Sequence, residues 1–232
     1  MNILVIDIGG STVKFKLCGD REEMCRFPSG KKMTPEQMVD QVLAHTEAWQ
    51  YERVSIGFPG IVLHGKPAAD PGNLGNGWTR FDFEKAFKKP VKLMNDAAMQ
   101  ALGNYRGGRM LFIGLGTGLG SALILDDVIV PLELGQLSYS LDQTLEDVLS
   151  KSARKRNGEE EWEQAVHKSS ERLIAAFRTD YLVIGGGGAE VLKQLPEGTT
   201  RSSNLKAFTG GERLWNESGF QTKAQEHTWI IT

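Results

Sequence analysis

The stretch Leu4-Val5-Ile6-Asp7-Ile8-Gly9-Gly10-Ser11-Thr12-Val13-Lys14-Phe15 decides the fold, because Leu111-Phe112-Ile113-Gly114-Leu115-Gly116-Thr117-Gly118-Leu119-Gly120-Ser121-Ala122 repeats its pattern. Each reads as a buried strand, a tight turn of small residues and a returning strand. Gly, Ser and Thr in such a turn let backbone N–H groups converge with no side chain in the way, which makes a concave anion site suited to phosphate. Two such turns in one chain point to two lobes gripping one phosphate chain. The donor-phosphate residues expected are Gly9, Gly10, Ser11, Thr12 and Lys14 from the first copy and Gly116, Thr117 and Gly118 from the second. Only the first copy carries a carboxylate at its strand end, Asp7, where a divalent metal on phosphate oxygens is held directly or through water. The matching place in the second copy is Gly114, so the halves are related but not equivalent.

Commoner nucleotide motifs do not account for these turns. Neither has the G-x-x-x-x-G-K-[ST] spacing of a P-loop, and neither meets G-x-G-x-x-G before a helix, since another strand follows each turn. Taken singly, a glycine turn after a strand is an ordinary hairpin. The pair of turns, together with Gly185-Gly186-Gly187-Gly188, favours the phosphate reading.

A chain of 232 residues is long enough for one large domain or two small ones, and the internal echo favours two, divided as 1–107 and 108–232. The formal net charge is −2 and the pI about 6.1, so no global positive field recruits nucleic acid or an anionic membrane. A small-molecule ligand is the expectation. A core strand begins two residues from the N-terminus and no apolar run approaches a membrane span, so the protein is expected to be soluble and cytoplasmic. Cys18 and Cys25 are the two cysteines. They flank a polar turn, and two thiolates alone cannot close a four-ligand zinc site. Histidines 45, 64, 167 and 227 fall in no metal-ligand spacing.

Along the chain, residues 12–17 and 23–27 read as strands joined through Gly19-Asp20, an antiparallel meander. Thr34 followed by Pro35 and Glu36 marks a helix start, with Met38, Val42 and Leu43 on one face. Strands are expected at 53–58 and 90–94, and between them 64–80 is a long irregular stretch of the kind that carries function. A helix at 96–105 ends at Arg106-Gly107-Gly108, taken as the hinge between lobes. Helical stretches are expected at 144–150 and 159–177, a strand at 181–184, and a short helix at 189–195 after the glycine run. The basic and then acidic block at 151–161 reads as a solvated helix pair in preference to an anion site, for which Arg154, Lys155 and Arg156 would be the densest cations. Strands alternating with helices place both lobes in the α/β class.

Asn95-Asp96 falls where a strand ends and a helix begins, a place where Asp commonly caps the helix. The preceding loop supplies Asn73, Asn76 and Trp78, amides and an aromatic face suited to a polyhydroxylated ligand. In phosphoryl transfer the protein mainly positions reactants and neutralises charge, and one carboxylate near the attacking hydroxyl accepts its proton. Asp96 is the candidate general base. Glu133-Leu134-Gly135-Gln136 offers a further carboxylate and amide to sugar hydroxyls, or is simply a turn.

In order along the chain, Asp7-Ile8-Gly9-Gly10-Ser11-Thr12, Gly57-Phe58-Pro59-Gly60, Asn73-Leu74-Gly75-Asn76-Gly77-Trp78, Asn95-Asp96-Ala97-Ala98, Gly114-Leu115-Gly116-Thr117-Gly118-Leu119-Gly120 and Glu133-Leu134-Gly135-Gln136 resemble the ROK family of sugar kinases. The downstream stretch, from Leu145-Glu146-Asp147 through Ala153-Arg154-Lys155-Arg156 and Trp162 to Ala207-Phe208-Thr209-Gly210-Gly211-Glu212-Arg213-Leu214-Trp215, is similar to its polyphosphate-glucokinase branch.

The resemblance implies a two-lobed actin-like fold (ribonuclease-H-like, ASKHA), with a sugar in the cleft and its 6-hydroxyl deprotonated by Asp96. It implies sugar contacts from Asn73, Asn95, Asp96, Glu133 and Gln136, and an adenosine-facing loop at 185–188 that includes Gly186 and Gly187. It also implies Mg²⁺ near Asp7, polyphosphate or ATP as donor, and a homodimer. Two departures stand out. The Cys/His zinc cluster of many members is missing, so no structural zinc is expected, and Gln136 replaces a histidine that orients the sugar. Glucose is the expected substrate. The alternatives are an ATP-dependent kinase of mannose, fructose or an N-acetylhexosamine, and a non-catalytic sugar-binding regulator. The family's repressors carry an N-terminal helix-turn-helix, whereas here the first phosphate strand starts at once.

Overall fold

Strand β1 (Ile3–Ile8) is buried on both faces, as its uninterrupted apolar run requires. Leu4, Ile6 and Ile8 enter the core of the first lobe, while Ile3 and Val5 point the opposite way into a core between the lobes. The computed structural model describes residues 1–19, 24–203 and 205–215, and the backbone of two short strands beyond them. The expected turn residue Asp20, Glu23 and His227 lie outside the described residues.

After β1 come β2 (Thr12–Cys18), β3 (Met24–Pro28), α1 (Pro35–His45), β4 (Arg53–Phe58), the two-strand ribbon β5 (Val62–Leu63) and β6 (Lys66–Pro67), α2 (Phe83–Phe87), β7 (Val91–Asn95) and α3 (Asp96–Asn104). The second half runs β8 (Met110–Leu115), β9 (Leu119–Leu125), β10 (Val128–Leu132), α4 (Leu145–Leu149), α5 (Lys151–Asn157), α6 (Glu159–Phe177), β11 (Tyr181–Gly185), α7 (Gly186–Ala189), β12 (Thr199–Arg201), α8 (Lys206–Arg213), β13 (Phe220–Gln221) and β14 (Trp229–Ile231). The first sheet has the order β3-β2-β1-β4-β7, and the second β12-β11-β8-β9-β10-β14-β13. Reversed, the first five strands of the second sheet repeat the first. In each, an antiparallel meander of three strands is followed by two strands added in parallel. The local echo read from the hairpins is therefore a repeat of whole sheets, which is the two-lobed actin-like architecture.

Local chemistry sets the helix starts as expected. Thr34 and Gln37 close a capping box around α1, each accepting from the other's backbone N–H at 3.3 and 3.1 Å. Thr144 and Asp147 do the same for α4.

The helix expected at 189–195 is displaced. The short helix is instead Gly186–Ala189, and 190–195 turns away because the Lys193 and Gln194 N–H groups donate to Glu163 of α6 at 2.7 and 3.0 Å, not to their own helix. Gly186 sits at φ +76°, and a Cβ there would stand 2.7 Å from the Leu115 carbonyl oxygen, so only glycine fits the floor of the second turn.

Helix α8 lies beyond Gly108 in the chain yet packs on the first lobe as well as the second. Ser55 of β4 donates to the Gly211 carbonyl at 2.6 Å, Trp215 donates to Ser55 at 2.8 Å, and Lys92 of β7 donates to the Leu214 carbonyl at 2.7 Å. Between the sheets, α8 crosses α3 with backbones in contact. A Cβ on Gly103 would overlap the Lys206 carbonyl oxygen, and one on Gly210 the Met99 carbonyl oxygen. Rigid backbone cannot yield as a side chain can. Gly210→Ala is thus expected to cost about 3 kcal/mol of stability, whereas Gly72→Ala, at a site with open space around it, should cost little. Urea denaturation midpoints of the two variants check this. Among the described residues no helix is long and apolar enough to cross a membrane.

Candidate active site

The two glycine turns open into one cleft of about 590 Å³ between the sheets. In the first turn the Gly9 N–H donates to the Thr12 carbonyl at 3.0 Å, and the end of β3 braces it through Ser29, which donates to the Gly9 and Ser11 carbonyls. In the second, the Gly116 N–H donates to the Gly118 carbonyl at 3.1 Å. That turn is held from behind by two helices. The Glu146 carboxylate of α4 accepts from Leu119 N–H at 3.0 Å, and the Lys151 N–H at the start of α5 donates to the Gly116 carbonyl at 2.8 Å.

Asp7 is the penultimate residue of β1, paired in register with Lys14 of β2 on one side and Gly57 of β4 on the other. Asp96 follows β7 as the first residue of α3. Its place is fixed by Asn95, whose side chain caps α3 by accepting from Ala98 N–H at 3.0 Å and donates to the Gly60 carbonyl at 3.1 Å. Gly57 separates the two acids, its Cβ position 3.5 Å from Asp7 Oδ1 and 3.5 Å from the Asp96 Cα.

Neither carboxylate has a cationic partner within salt-bridge distance among the described residues. Burial therefore lifts Asp7 to about 6, with Lys14 pulling the other way. Burial lifts Asp96 to about 7, the charge of Asp7 adds to this, and the 2.8 Å hydrogen bond from Ala97 N–H opposes it. A carboxylate that titrates near neutrality is tuned to take a proton. The side-chain cap of α3 is Asn95, which leaves the Asp96 side chain lining the cleft.

Asn73 packs beside Gly10, and its Oδ1 is buried with no partner, an acceptor awaiting a donor. Its loop is shaped by Asp70, whose carboxylate accepts from the backbone N–H groups of Gly77, Trp78 and Thr79 at 3.1, 2.8 and 3.4 Å. Asp70→Ala is expected to loosen this loop, raising KM for the bound sugar roughly 10-fold with kcat changed far less, as for a lost charge-assisted hydrogen-bond set. Steady-state kinetics on the variant measures that split.

Glu133 reaches the cleft at the end of β10, and burial together with the Glu146 charge raises its carboxyl above the usual range.

The structure brings together Asp7, Gly9, Gly10, Ser11, Thr12, Lys14, Asn73, Asn95, Asp96, Gly116, Thr117, Gly118, Glu133, Gly186 and Gly187 around this one cleft. It does not bring Gln136 there. That residue ends a short 3₁₀ turn, Leu134–Gln136, exposed and off the cleft wall. Trp78 offers no aromatic face to a ligand either, being fully buried against Phe58 and Phe83, and Asn76 is exposed outside the cleft.

Sequence reasoning overlooked Gln100 and Lys151, singled out Arg154 only as part of the basic run 154–156, and gave Glu146 and Trp162 no role beyond the branch resemblance; all five line the cleft. Gln100 was within reach, since it stands four residues after Asp96 on the same helix face. Glu146 and Trp162 carry no local signal, because only the docking of α4 and α6 on the second turn brings them in.

The family model described as ROK family matches residues 3–131. No curated protein matches the chain. Among solved structures, an inorganic polyphosphate/ATP-glucomannokinase from Arthrobacter sp. strain KM superposes with a TM-score of 0.77 at 26% identity, covering 90% of this chain and 96% of that one. A ROK family glucokinase from Streptomyces griseus, in complex with glucose and AMPPNP, gives 0.71 at 17% identity over 92% and 99%. A ROK family transcriptional regulator, a homolog of the E. coli MLC protein, gives 0.65 at 15% identity over 90% and 76%. The last two bear on the fold alone. The family match spans both glycine turns, Asp7 and Asp96, and with the repeated sheets around them it settles the assignment: the chain belongs to the ROK family.

Proposed function

We propose that this protein is a hexose kinase that transfers a phosphoryl group to the 6-hydroxyl of glucose, drawing on polyphosphate, ATP or both. The observation that carries this reading is the buried pair Asp7 and Asp96 beneath two phosphate-shaped turns, with Asp96 tuned to about 7. In this reading Asp96 accepts the proton of the attacking hydroxyl, which Asn73, Asn95 and Glu133 orient. The Gly9–Thr12 and Gly116–Gly118 turns hold the phosphates with backbone N–H groups, aligning donor and hydroxyl and excluding water. The glucomannokinase among the structural neighbours, at 26% identity, supports the class.

A magnesium ion fits the residues present. Two buried carboxylates with no cationic partner are the hard oxygen ligands that Mg²⁺ takes alongside substrate phosphates. Asp7, at the foot of the first turn, would hold it directly or through water, and the ion would supply charge neutralisation on the transferring group.

A phosphorylation assay that crosses glucose, mannose, fructose and N-acetylhexosamines with ATP and polyphosphate tests the reading. Sugar-6-phosphate formed from glucose is the expected result. Turnover confined to another hexose would move the substrate, and binding of a sugar with no turnover on any donor would leave the regulator reading.

A further inference from the structure

We propose that Lys151 and Arg154 form a ledge beyond the second phosphate turn that binds the trailing phosphates of a linear polyphosphate and so selects that donor; this rests on the phosphoryl-transfer reading above. The two side chains stand one turn apart on α5 and both line the donor end of the cleft. The backbone fixes them there, because the Lys151 N–H is bound to the Gly116 carbonyl of the turn itself at 2.8 Å. Neither has an anionic partner within ion-pair distance among the described residues. The Glu146 carboxylate, which lines the same cleft, accepts from Leu119 N–H.

The same helix carries two more basic residues, and the structure sorts them. Arg156 is used up internally, donating to the Asp147 carbonyl at 2.6 Å and to Asn157 at 3.2 Å. Lys155 is exposed and off the cleft wall. Only Lys151 and Arg154 therefore face a ligand.

The cleft is lined by Asp7, Asp96, Glu133 and Glu146 together with Lys14, Lys151 and Arg154, and the last two are the cations that α5 adds beside the second turn. A linear polyphosphate bears charge on every unit, so phosphates beyond the turns meet the ledge. Trp162 underlies this ledge, with the Arg154 guanidinium 5.7 Å from its ring centroid.

The test uses the full chain with both side chains removed, Lys151→Ser/Arg154→Ser, beside Lys155→Ser and Arg154→Lys. The double variant should raise KM for long-chain polyphosphate roughly 10-fold or more, with the loss growing with chain length and shrinking at high salt. KM for ATP and for tripolyphosphate should rise by a clearly smaller factor, because neither carries phosphates past the turns, so the ratio of the two effects is the readout. Lys155→Ser should change nothing, and Arg154→Lys should keep most of the wild-type preference. Calorimetric titration with long-chain polyphosphate should give the same order of dissociation constants without turnover. Equal losses on ATP and polyphosphate, or an equal loss in Lys155→Ser, would overturn the ledge. If wild type phosphorylates hexose from ATP but neither uses nor binds long-chain polyphosphate, the ledge falls and the kinase reading stands. If no donor supports turnover, the kinase reading falls, and calorimetry still decides the ledge.

Discussion

Asp96→Asn is expected to lower kcat by about 10²–10⁴-fold, the range for loss of a positioned general base, while leaving KM for the hexose nearly unchanged. The amide keeps the shape and the oxygen that accepts from Ala97 N–H, and Asn95 still caps α3. Only the proton acceptor disappears. The same variant should be more heat-stable than wild type when metal is removed by chelation, and the gain should depend on pH. Asp96 holds its proton to about 7 in the folded protein against 3.8 for a free carboxyl. The folded state therefore binds more protons at Asp96 than the unfolded one across that window, so the contribution of Asp96 to stability is full below pH 3.8 and declines until pH passes about 7. Asn has no charge to bury and escapes this decline. The Tm gap between variant and wild type should widen from acid to neutral pH and then level off. A kcat near that of wild type, or a Tm gap that ignores pH, would show that Asp96 is neither the base nor a strained buried acid.

Much of the architecture was legible because both lobes open with the same strand-turn-strand phrase. The apolar runs of β1 and β8, buried on both faces, announced central strands, and the start signal at Thr34 announced a helix. Less legible was α8. Thr209-Gly210-Gly211 is a poor helix former, and the segment is helical because its glycines let its backbone meet α3 and β1, a tertiary gain that no local propensity reports.

The site divides in the same way. Asp7, Asp96 and the turns were readable because strand ends and small residues carry their own signal. Trp78 misled, because a Trp in a polar loop reads as a sugar platform, but here it anchors that loop in the core while the N–H groups beside it are taken by Asp70. The basic run 154–156 was readable as a run but not by face. The spacing of three between Lys151 and Arg154 held the answer, since residues one helical turn apart point the same way.

Asp7→Asn should be the second severe lesion, lowering kcat/KM for the donor roughly 10²–10³-fold, as expected when a few kcal/mol of metal-assisted charge stabilisation is lost. The sheet gives the residue no counterpart, because the repeated lobe puts Gly114 where β1 puts Asp7, and the Glu146 carboxylate at the second turn is engaged by Leu119 N–H. Among the described residues no cluster of three ligating side chains exists to take over. An ion there leans on Asp7 and on the phosphates it brings, so removing one negative charge should weaken it out of proportion to the change in shape. The Mg²⁺ concentration giving half-maximal rate should rise, and added Mg²⁺ should recover part of the activity. The hexose dissociation constant, measured without donor, should stay close to the wild-type value, because Asn73, Asn95 and Glu133 are untouched. An unchanged Mg²⁺ titration would remove Asp7 from the metal site. A loss of sugar binding as large as the loss of turnover would make Asp7 a sugar contact, which would require the sugar to sit deeper in the cleft, against β1 itself.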